Sequence, residues 1–402
     1  MKQLLNIKKY KTYLIYASSI FFGKGLEYVS ILVVAYLLTK SQYGEFEFYK
    51  KTIELFSVFV AFGTPGLILT YTKSKGSKVN FYIISVALAF IFGGLSLLFL
   101  SFFKYAILVI PVVYYATFHY SNSIIQSYNL VQKGSVFASK YKYLFSSIFN
   151  GLLLLLVCFI DEKEKSIIYV SYPLIVVGVG YFLYDLKKEY DKGSFEYFRR
   201  YFRLFKKQIF NSFTLVLSAI CNTAFLVTDI YVLKYFSEEV VRNQIIADYS
   251  MVLNITNILL LVPLTLTNVD IELYKKGFVK FEISVKKNIK LSIYITVVLS
   301  VFYVLLINTF LVEYKNTLLL FFVILFAKYF QSCTIPYGVF LATRRLYLYN
   351  LYVNVVVLAL NIILSIFLLD KFGVMGVGYA SVISLVVRFV LVKFKYNKMK
   401  KG

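Results

Sequence analysis

The chain has 402 residues, of which 59% are hydrophobic and 16% charged, and its formal net charge is +24. Its mean hydropathy of +0.73 and its low charged fraction differ from those of soluble domains, where about a quarter of residues are charged. This composition excludes an ordinary soluble enzyme or binding domain and predicts an integral membrane protein.

Apolar runs recur along the whole chain at lengths that suit membrane crossing, which takes about 20 residues per helix. They predict an all-α membrane protein with twelve transmembrane helices, at 12–38, 52–72, 79–103, 106–131, 141–160, 166–186, 209–234, 246–269, 289–312, 316–341, 347–369 and 374–394. We expect two six-helix lobes, 1–186 and 209–402, the second with a basic tail. The basic and aromatic stretch 187–208 is expected to be a linker helix on the cytoplasmic membrane surface.

Basic residues are concentrated in every second connection between the predicted spans, as the positive-inside rule describes. With a cytoplasmic amino terminus, most basic loops lie inside, including the one with Lys133 and Lys142. Few basic residues remain outside, among them Lys40, Lys50 and Lys51. We therefore expect both termini in the cytoplasm and no nucleic-acid partner, while the basic tail can contact anionic lipids.

Weak similarities between the two halves indicate an internal duplication, which is common in transporters. The sequence GVGY begins at Gly178 in the first half and at Gly376 in the second. Pro65 and Pro263 each lie about two-thirds along the second span of their half. Because proline interrupts helical hydrogen bonding, each predicts either a fixed kink or a hinge for alternating access.

Charged residues inside the spans are the strongest candidates for function. A charge at the centre of a membrane helix costs about 2.5–3.5 kcal/mol on insertion scales. Lys24 and Glu27 are three residues apart and can neutralise each other on one helix face. Together with Asp229 and Lys328, they are interpreted as residues of a polar cavity.

Polar stripes accompany these charges. In the fourth span, Tyr115, His119, Asn122, Gln126 and Asn129 follow the spacing of one helix face. Further cavity candidates in other spans are Asn222, Asn254, Asn257, Gln331 and Arg388. The alternative for the amides is hydrogen bonding between helices. Arg388 can also extend to the inner membrane surface, and His119 is either a neutral hydrogen-bonded ring or a proton-sensitive group.

The sequence carries no signature of a known class of enzyme or of a metal site. The sequence has no phosphate-binding glycine loop, nucleophile motif or metal-ligand spacing, and its three cysteines show no CxxC pattern. We therefore expect no catalytic residues, no metal and no organic cofactor.

Three stretches resemble a known family. GKGLEYVSILVVAYLLTKSQYGEFEF with the following FGTPG, residues 226–266 around LVTDIYVLKYF and LVPLTL, and residues 341–389 with FGVMGVGYASV are similar to Wzx-type polysaccharide and O-antigen flippases. This resemblance implies a fold of the MOP superfamily, like that of MATE transporters, with two lobes around a cavity. The chain ends soon after the twelfth predicted span, which favours a surface-polysaccharide substrate over a cell-wall precursor.

The resemblance also implies a function. Such proteins move undecaprenyl-pyrophosphate-linked oligosaccharide across the bacterial cytoplasmic membrane by alternating access, coupled to a gradient of H⁺ or Na⁺, with a polysaccharide polymerase and a chain-length protein as expected partners. Lys24 and Lys328 would then bind anionic groups, and Glu27 and Asp229 would be their counter-charges or bind a coupling cation. The alternatives are a multidrug/cation antiporter of the same superfamily and a membrane-embedded polymerase, although the short outer loops disfavour the polymerase.

Overall fold

A computed structural model describes residues 2–72, 74–190, 197–211, 213–275 and 277–401, and in these ranges the chain is helical with short connections. The α-helices are α1 (Lys2–Leu37), α2 (Lys40–Ala61), α3 (Thr64–Tyr71), α4 (Lys75–Phe102), α5 (Val109–Thr117), α6 (Ile124–Tyr128), α7 (Ser135–Phe159), α8 (Ser166–Tyr169), α9 (Ser171–Tyr190), α10 (Phe198–Asn211), α11 (Phe213–Phe236), α12 (Arg242–Thr256), α13 (Leu261–Lys275), α14 (Phe278–Thr309), α15 (Leu318–Thr343), α16 (Tyr347–Phe372) and α17 (Val374–Lys401). Short 3₁₀ turns precede α5, α8, α13 and α15, and a π-helical turn follows α6.

Many of these helices are long and apolar enough to cross a membrane. In the described ranges nine helical segments meet this condition, and α2 with α3, which are bent by 54° at their junction, makes a tenth. They correspond to the predicted spans except the first, which falls within α1, and the fourth, which is divided. The all-α membrane fold is confirmed, whereas the count of twelve spans is not.

The fourth predicted span is not one helix. Its first part, α5, ends at Thr117, and α6 begins at Ile124. Between them Asn122 adopts a left-handed conformation with φ of 56°, and the hydroxyl of Ser123 accepts a hydrogen bond from the backbone N–H of Gln126 at 3.3 Å. Ser and Asn favour helix caps and turns over helix interiors. The prediction of one continuous polar stripe from Tyr115 to Asn129 was therefore wrong.

The two predicted prolines both lie near the start of a helix. Helix α3 begins directly after Gly63, whose φ of 67° is left-handed, and Pro65 is its second residue. Pro263 is the third residue of α13, which follows a 3₁₀ turn. Early in a helix the missing N–H of proline costs little. The bend at α2–α3 therefore precedes Pro65, and a hinge role for either proline stays a prediction.

Pro336 is a proline in a helix interior that the sequence analysis did not single out. It lacks the N–H that would bond the carbonyl of Ser332 four residues earlier. The side-chain amide of Asn288 in α14 donates to that carbonyl at 3.1 Å instead, and the hydroxyls of Ser292 and Ser332 are 2.6 Å apart. A neighbouring helix thus satisfies the freed backbone group, as apolar surroundings require.

The chain forms two compact units, one of residues 1–37 and 49–220 and the other of residues 38–48 and 221–402. This division differs from the predicted lobes mainly in the segment 38–48, which belongs with the second unit. There Gly44 lies so close to Asn243 that an added Cβ would be 1.8 Å from its carbonyl oxygen. Lys40 also forms an ion pair with Asp248 at 2.7 Å.

The predicted linker is described in part. Its first residues, up to Tyr190, continue α9, and residues 191–196 lie outside the described ranges. The remainder lies in α10, which is basic and aromatic as predicted and belongs to the first unit. Phe205 of α10 is buried and packs edge-on against Phe81 of α4, with ring centroids 5.1 Å apart.

Both GVGY sequences place a close-packed glycine at the same point of the motif. A Cβ at Gly178 would be 2.4 Å from the ring of Phe118, and one at Gly376 would be 2.0 Å from the carbonyl oxygen of Leu368. A Cβ at Gly180, by contrast, would meet nothing within 4 Å. The first glycine of each motif therefore allows close helix packing.

We expect Gly376→Ala to destabilise the pair α16–α17, because a backbone carbonyl cannot move aside as a flexible side chain can. Overpacking of this kind typically costs about 1–3 kcal/mol. Thermal unfolding of the purified protein in detergent measures the effect. Gly180→Ala is the matched control and should unfold at the wild-type temperature; an unchanged unfolding temperature for Gly376→Ala would contradict the packing described for α16 and α17.

Candidate functional site

The charges in the first helix meet as predicted. Lys24 and Glu27 of α1 form an ion pair with an N–O distance of 2.8 Å, and their side chains are 30% and 20% exposed. The hydroxyl of Tyr120 lies 3.4 Å from the same carboxylate oxygen of Glu27. The pair is therefore half-buried and is contacted from the segment between α5 and α6.

A lysine that the sequence analysis placed in a cytoplasmic loop joins this pair. Lys142 lies in α7, is 7% exposed, and interacts electrostatically with Lys24 and Glu27. A Cβ at Gly23 would lie 2.9 Å from Cε of Lys142, so this glycine makes room for the lysine side chain. The sequence analysis counted Lys142 with the basic residues of a cytoplasmic loop, although it is the second residue of the predicted span 141–160. Because α7 begins at Ser135, six residues before that span, Lys142 lies inside a helix, and its membrane side stays a prediction.

Three charged residues of α2 extend the same group. Lys51 pairs with Glu54 at 2.8 Å, and Lys50, which is 5% exposed, interacts electrostatically with both Glu27 and Glu54. The sequence analysis assigned Lys50 and Lys51 to an outer loop, which was wrong because α2 begins at Lys40. We call the following residues the basic cluster: Lys24, Glu27, Lys50, Lys51, Glu54 and Lys142. The basic cluster thus contains four lysines and two glutamates.

His119 lies beside the basic cluster, in the break between α5 and α6. Its ring stacks on Tyr115, with centroids 4.2 Å apart, and contacts the tilted ring of Tyr120 at 4.1 Å. The backbone N–H of Ser121 lies 3.3 Å from Nδ1, and the carbonyl oxygen of Ser121 lies 3.4 Å from the same nitrogen, so either neutral tautomer can bond to this backbone. Nε2 has no hydrogen-bond partner among the described residues. Asn122, three residues further along the same break, is exposed.

In the second unit, buried Asp229 of α11 accepts three side-chain hydrogen bonds. Asn361 of α16 donates to Oδ1 at 2.7 Å, Ser381 of α17 donates to Oδ2 at 2.7 Å, and Tyr249 of α12 also donates to Oδ2. Such bonds to a carboxylate are stronger than neutral ones. Asp229 is therefore held in place by side chains from three other helices.

Lys328 and Gln331 of α15 belong to the same region. Lys328 donates to Gln331 at 3.2 Å and interacts electrostatically with Asp229. A small cavity of about 10 Å³ is lined by Asp229, Tyr249, Lys328 and Ser381 together with apolar side chains. This volume is close to the minimum for one water molecule. Asp229 and Lys328, which were each predicted to be cavity residues, therefore line the same small cavity.

Arg388 of α17 forms a second polar layer with residues of α11 and α16, two helices that also contribute to the Asp229 layer. Its Nη2 donates to Oδ1 of Asn222 in α11 and to Oδ1 of Asn354 in α16, each at 2.9 Å. Every residue of this layer is seven positions from its counterpart in the Asp229 layer, so the layers are roughly 10 Å apart along the helices. Arg388 therefore bonds to neighbouring helices within the second unit.

Two further candidates lie outside these layers. Asn254 of α12 donates to Glu47 at 2.9 Å and to Tyr43 at 3.2 Å, near the start of α2. Asn257 is half-buried at the beginning of a 3₁₀ turn. Glu47 is fully buried but was missed, because the sequence analysis treated residues 39–51 as a loop.

The two polar regions suit different chemistry. Lysine ammonium groups bind oxyanions such as phosphate and carboxylate, and the basic cluster contains four of them. A carboxylate such as Asp229 inside a membrane bundle is typical of a proton or cation site. In the described ranges no group of three or more His, Cys, Asp or Glu residues could hold a metal ion.

Comparison with known proteins agrees with this description. A family model described as "Polysaccharide biosynthesis protein" matches residues 10–268. Among solved structures, the chain is similar to an inward-facing multidrug resistance MATE family transporter of the MOP superfamily, with 12% identity, a TM-score of 0.65, and coverage of 97% of this chain and 99% of that one. A MATE structure in complex with MaL6 has 12% identity and a TM-score of 0.57, with 98% and 97% of the chains covered.

No protein with a curated description matches the chain. At 12% identity the structural neighbours establish the fold alone, whereas the family model spans more than half of the sequence. The chain therefore belongs to the polysaccharide biosynthesis protein family and is a multi-pass membrane protein with a MATE-like fold.

Proposed function

We propose that the protein is a flippase that moves undecaprenyl-pyrophosphate-linked oligosaccharide from the cytoplasmic to the outer leaflet of a bacterial cytoplasmic membrane. In this proposal both termini are cytoplasmic and the product feeds surface polysaccharide synthesis. A polysaccharide polymerase and a chain-length protein would act on the exported unit. The family supports a role in polysaccharide synthesis, and the fold supports transport.

The basic cluster is the observation that carries the proposal. Lys142 is 7% exposed, although burying a lysine costs free energy unless a partner or a ligand compensates it. Glu27, the carboxylate with which it interacts, already forms an ion pair with Lys24. A pyrophosphate group would supply the missing negative charge, and several lysines can contact its oxygens together. A flippase for a pyrophosphate-linked lipid therefore explains why this unit retains buried lysines.

Asp229 provides a separate role in this proposal. A carboxylate held by Tyr249, Asn361 and Ser381 can accept a proton or bind a cation. The charge of Lys328 interacts with this carboxylate and would therefore be affected by either event. We assign to Asp229 the coupling of transport to a gradient of H⁺ or Na⁺. The chemical work in this account is binding and release, with no covalent step and no organic cofactor.

A multidrug/cation antiporter is the second candidate. Asp229 favours it because a buried carboxylate suits a cationic ligand, and one structural neighbour is described as a multidrug resistance transporter. The lysines of the basic cluster disfavour it, because like charges repel a cationic drug. A membrane-embedded polymerase has less support, because the fold is that of transporters.

Reconstitution into vesicles tests the proposal. The purified protein is placed in liposomes that contain a lipid-pyrophosphate-linked oligosaccharide, and a membrane-impermeant glycosidase reports how much of the sugar is reachable from outside. We expect protein-dependent, gradient-stimulated movement of the sugar between leaflets. Gradient-driven efflux of a cationic dye without movement of the lipid-linked sugar would support the antiporter instead.

A further inference from the structure

Arg388 is a half-buried positive charge without a negative partner in the described ranges. Its two hydrogen bonds go to the neutral amide oxygens of Asn222 and Asn354. Asp229 lies one layer away, roughly 10 Å along the helices, and already accepts bonds from three donors. A positive charge that is partly buried among helices and has no negative partner is costly, so its retention points to a ligand.

The geometry of the arginine leaves donors for such a ligand. A guanidinium carries five N–H groups, and both recorded bonds use Nη2. Nη1 and Nε donate to no described residue, and neither is among the fully enclosed atoms that lack a partner. The amides of Asn222 in α11 and Asn354 in α16 together fix the orientation of the guanidinium. An arginine fixed in this way is prepared to bind an oxyanion through its remaining N–H groups.

We propose that Arg388, oriented by Asn222 and Asn354, binds an oxyanion of the transported substrate inside the second unit. The inference rests on the proposed function, and it adds a second anion contact to that of the basic cluster. The chemistry fits either the carboxylate of an acidic sugar or a phosphate oxygen, since both accept parallel N–H bonds from arginine. Arg388 is thus a specificity-determining residue for substrates with negative charge.

Binding to the purified full-length protein tests this site with two probes, farnesyl pyrophosphate and a glucuronate-containing trisaccharide. We expect Arg388→Gln to weaken binding of at least one probe by about 10- to 100-fold, the usual range for a lost bond to a charged group. Arg388→Lys should bind with intermediate affinity. Arg345→Gln removes an exposed arginine from the same unit and should bind both probes as the wild type does.

The pattern of loss identifies the source of the oxyanion. A loss limited to farnesyl pyrophosphate assigns Arg388 to the phosphate, and a loss limited to the trisaccharide assigns it to the sugar carboxylate. Thermal unfolding without ligand separates a binding defect from a folding defect, because Arg388→Lys keeps the charge and should unfold near the wild-type temperature. Unchanged affinity of Arg388→Gln for both probes, or no binding of either by the wild type, overturns the proposal.

The outcome is independent of the vesicle experiment. If the protein moves lipid-linked sugar while Arg388→Gln binds both probes normally, the anion site is wrong and the flippase proposal stands. If the wild type binds the probes through Arg388 but moves no lipid-linked sugar, the anion site stands and the proposed function fails.

Discussion

Lys142→Met and Lys24→Met are each expected to lower movement of lipid-linked oligosaccharide by about 10- to 100-fold, with normal membrane insertion. The range follows from about 1.5–3 kcal/mol for a hydrogen bond to a charged group. Methionine keeps most of the side-chain volume, so the space beside Gly23 stays filled. Export of surface polysaccharide and the vesicle assay both measure the effect.

Two comparisons make this prediction specific. Lys165→Met removes a lysine from an exposed ion pair with Glu162 in the same unit, and we expect it to transport normally. The double variant Lys24→Met with Lys142→Met should lose less than the product of the single effects, because the two lysines interact. Full transport by both single variants would remove the basic cluster from the mechanism.

Asp229→Asn is expected to abolish stimulation by the ion gradient and to reduce transport by about 100-fold. An amide has one acceptor oxygen, so it cannot satisfy all three donors and carries no charge for a cation. A loss of about 1–3 kcal/mol in unfolding free energy should accompany the change, because at least one buried donor loses its acceptor. Transport with and without a gradient, and thermal unfolding, are the measurements.

Asp370→Asn is the matched control for this prediction, since Asp370 is an exposed carboxylate of α16 in the same unit. It should retain both transport and gradient stimulation. If Asp229→Asn lowers stability but keeps the response to the gradient, Asp229 is a structural acceptor, and the coupling ion binds elsewhere.

The sequence predicted the parts of the site that depend on spacing within one helix. Lys24 and Glu27 are three residues apart, and α1 does place them in contact. Asp229 was recognised because a charge in an apolar run is expensive. The polar layers of the second unit were visible only as separate residues, because their seven-residue spacing links three helices that contact one another only in the folded structure.

Residues near the ends of apolar runs were not predictable in the same way. Lys50 and Lys51 were assigned to a loop and Lys142 to the very start of a span, since hydropathy alone cannot show that a helix extends beyond its apolar run with its charges turned toward the protein. α2 begins 12 residues before the predicted second span, and α7 begins six residues before the fifth. Tertiary contacts, such as that between Gly23 and Lys142, decide these boundaries.

In the fourth predicted span the error is of the opposite kind, because a continuous helix was predicted where the chain is interrupted. Tyr115 to Asn129 fit the helical period so well that a continuous helix was expected, although HYSNS contains residues that favour turns. The break is stabilised by contacts distant in sequence, including the bond from the hydroxyl of Tyr141 to the carbonyl of Phe118 at 2.6 Å. A periodic pattern could not reveal these contacts.

The central claim is that this protein moves a lipid-linked sugar across the membrane. The most direct test measures the undecaprenyl-linked oligosaccharide of a deletion strain separately in the inner and outer leaflets. We expect complete repeat units to accumulate in the cytoplasmic leaflet, surface polysaccharide to be lost, and both to be restored by the wild-type gene but not by Lys142→Met. Accumulation of single repeat units in the outer leaflet would contradict the account, because translocation would then be intact without this protein.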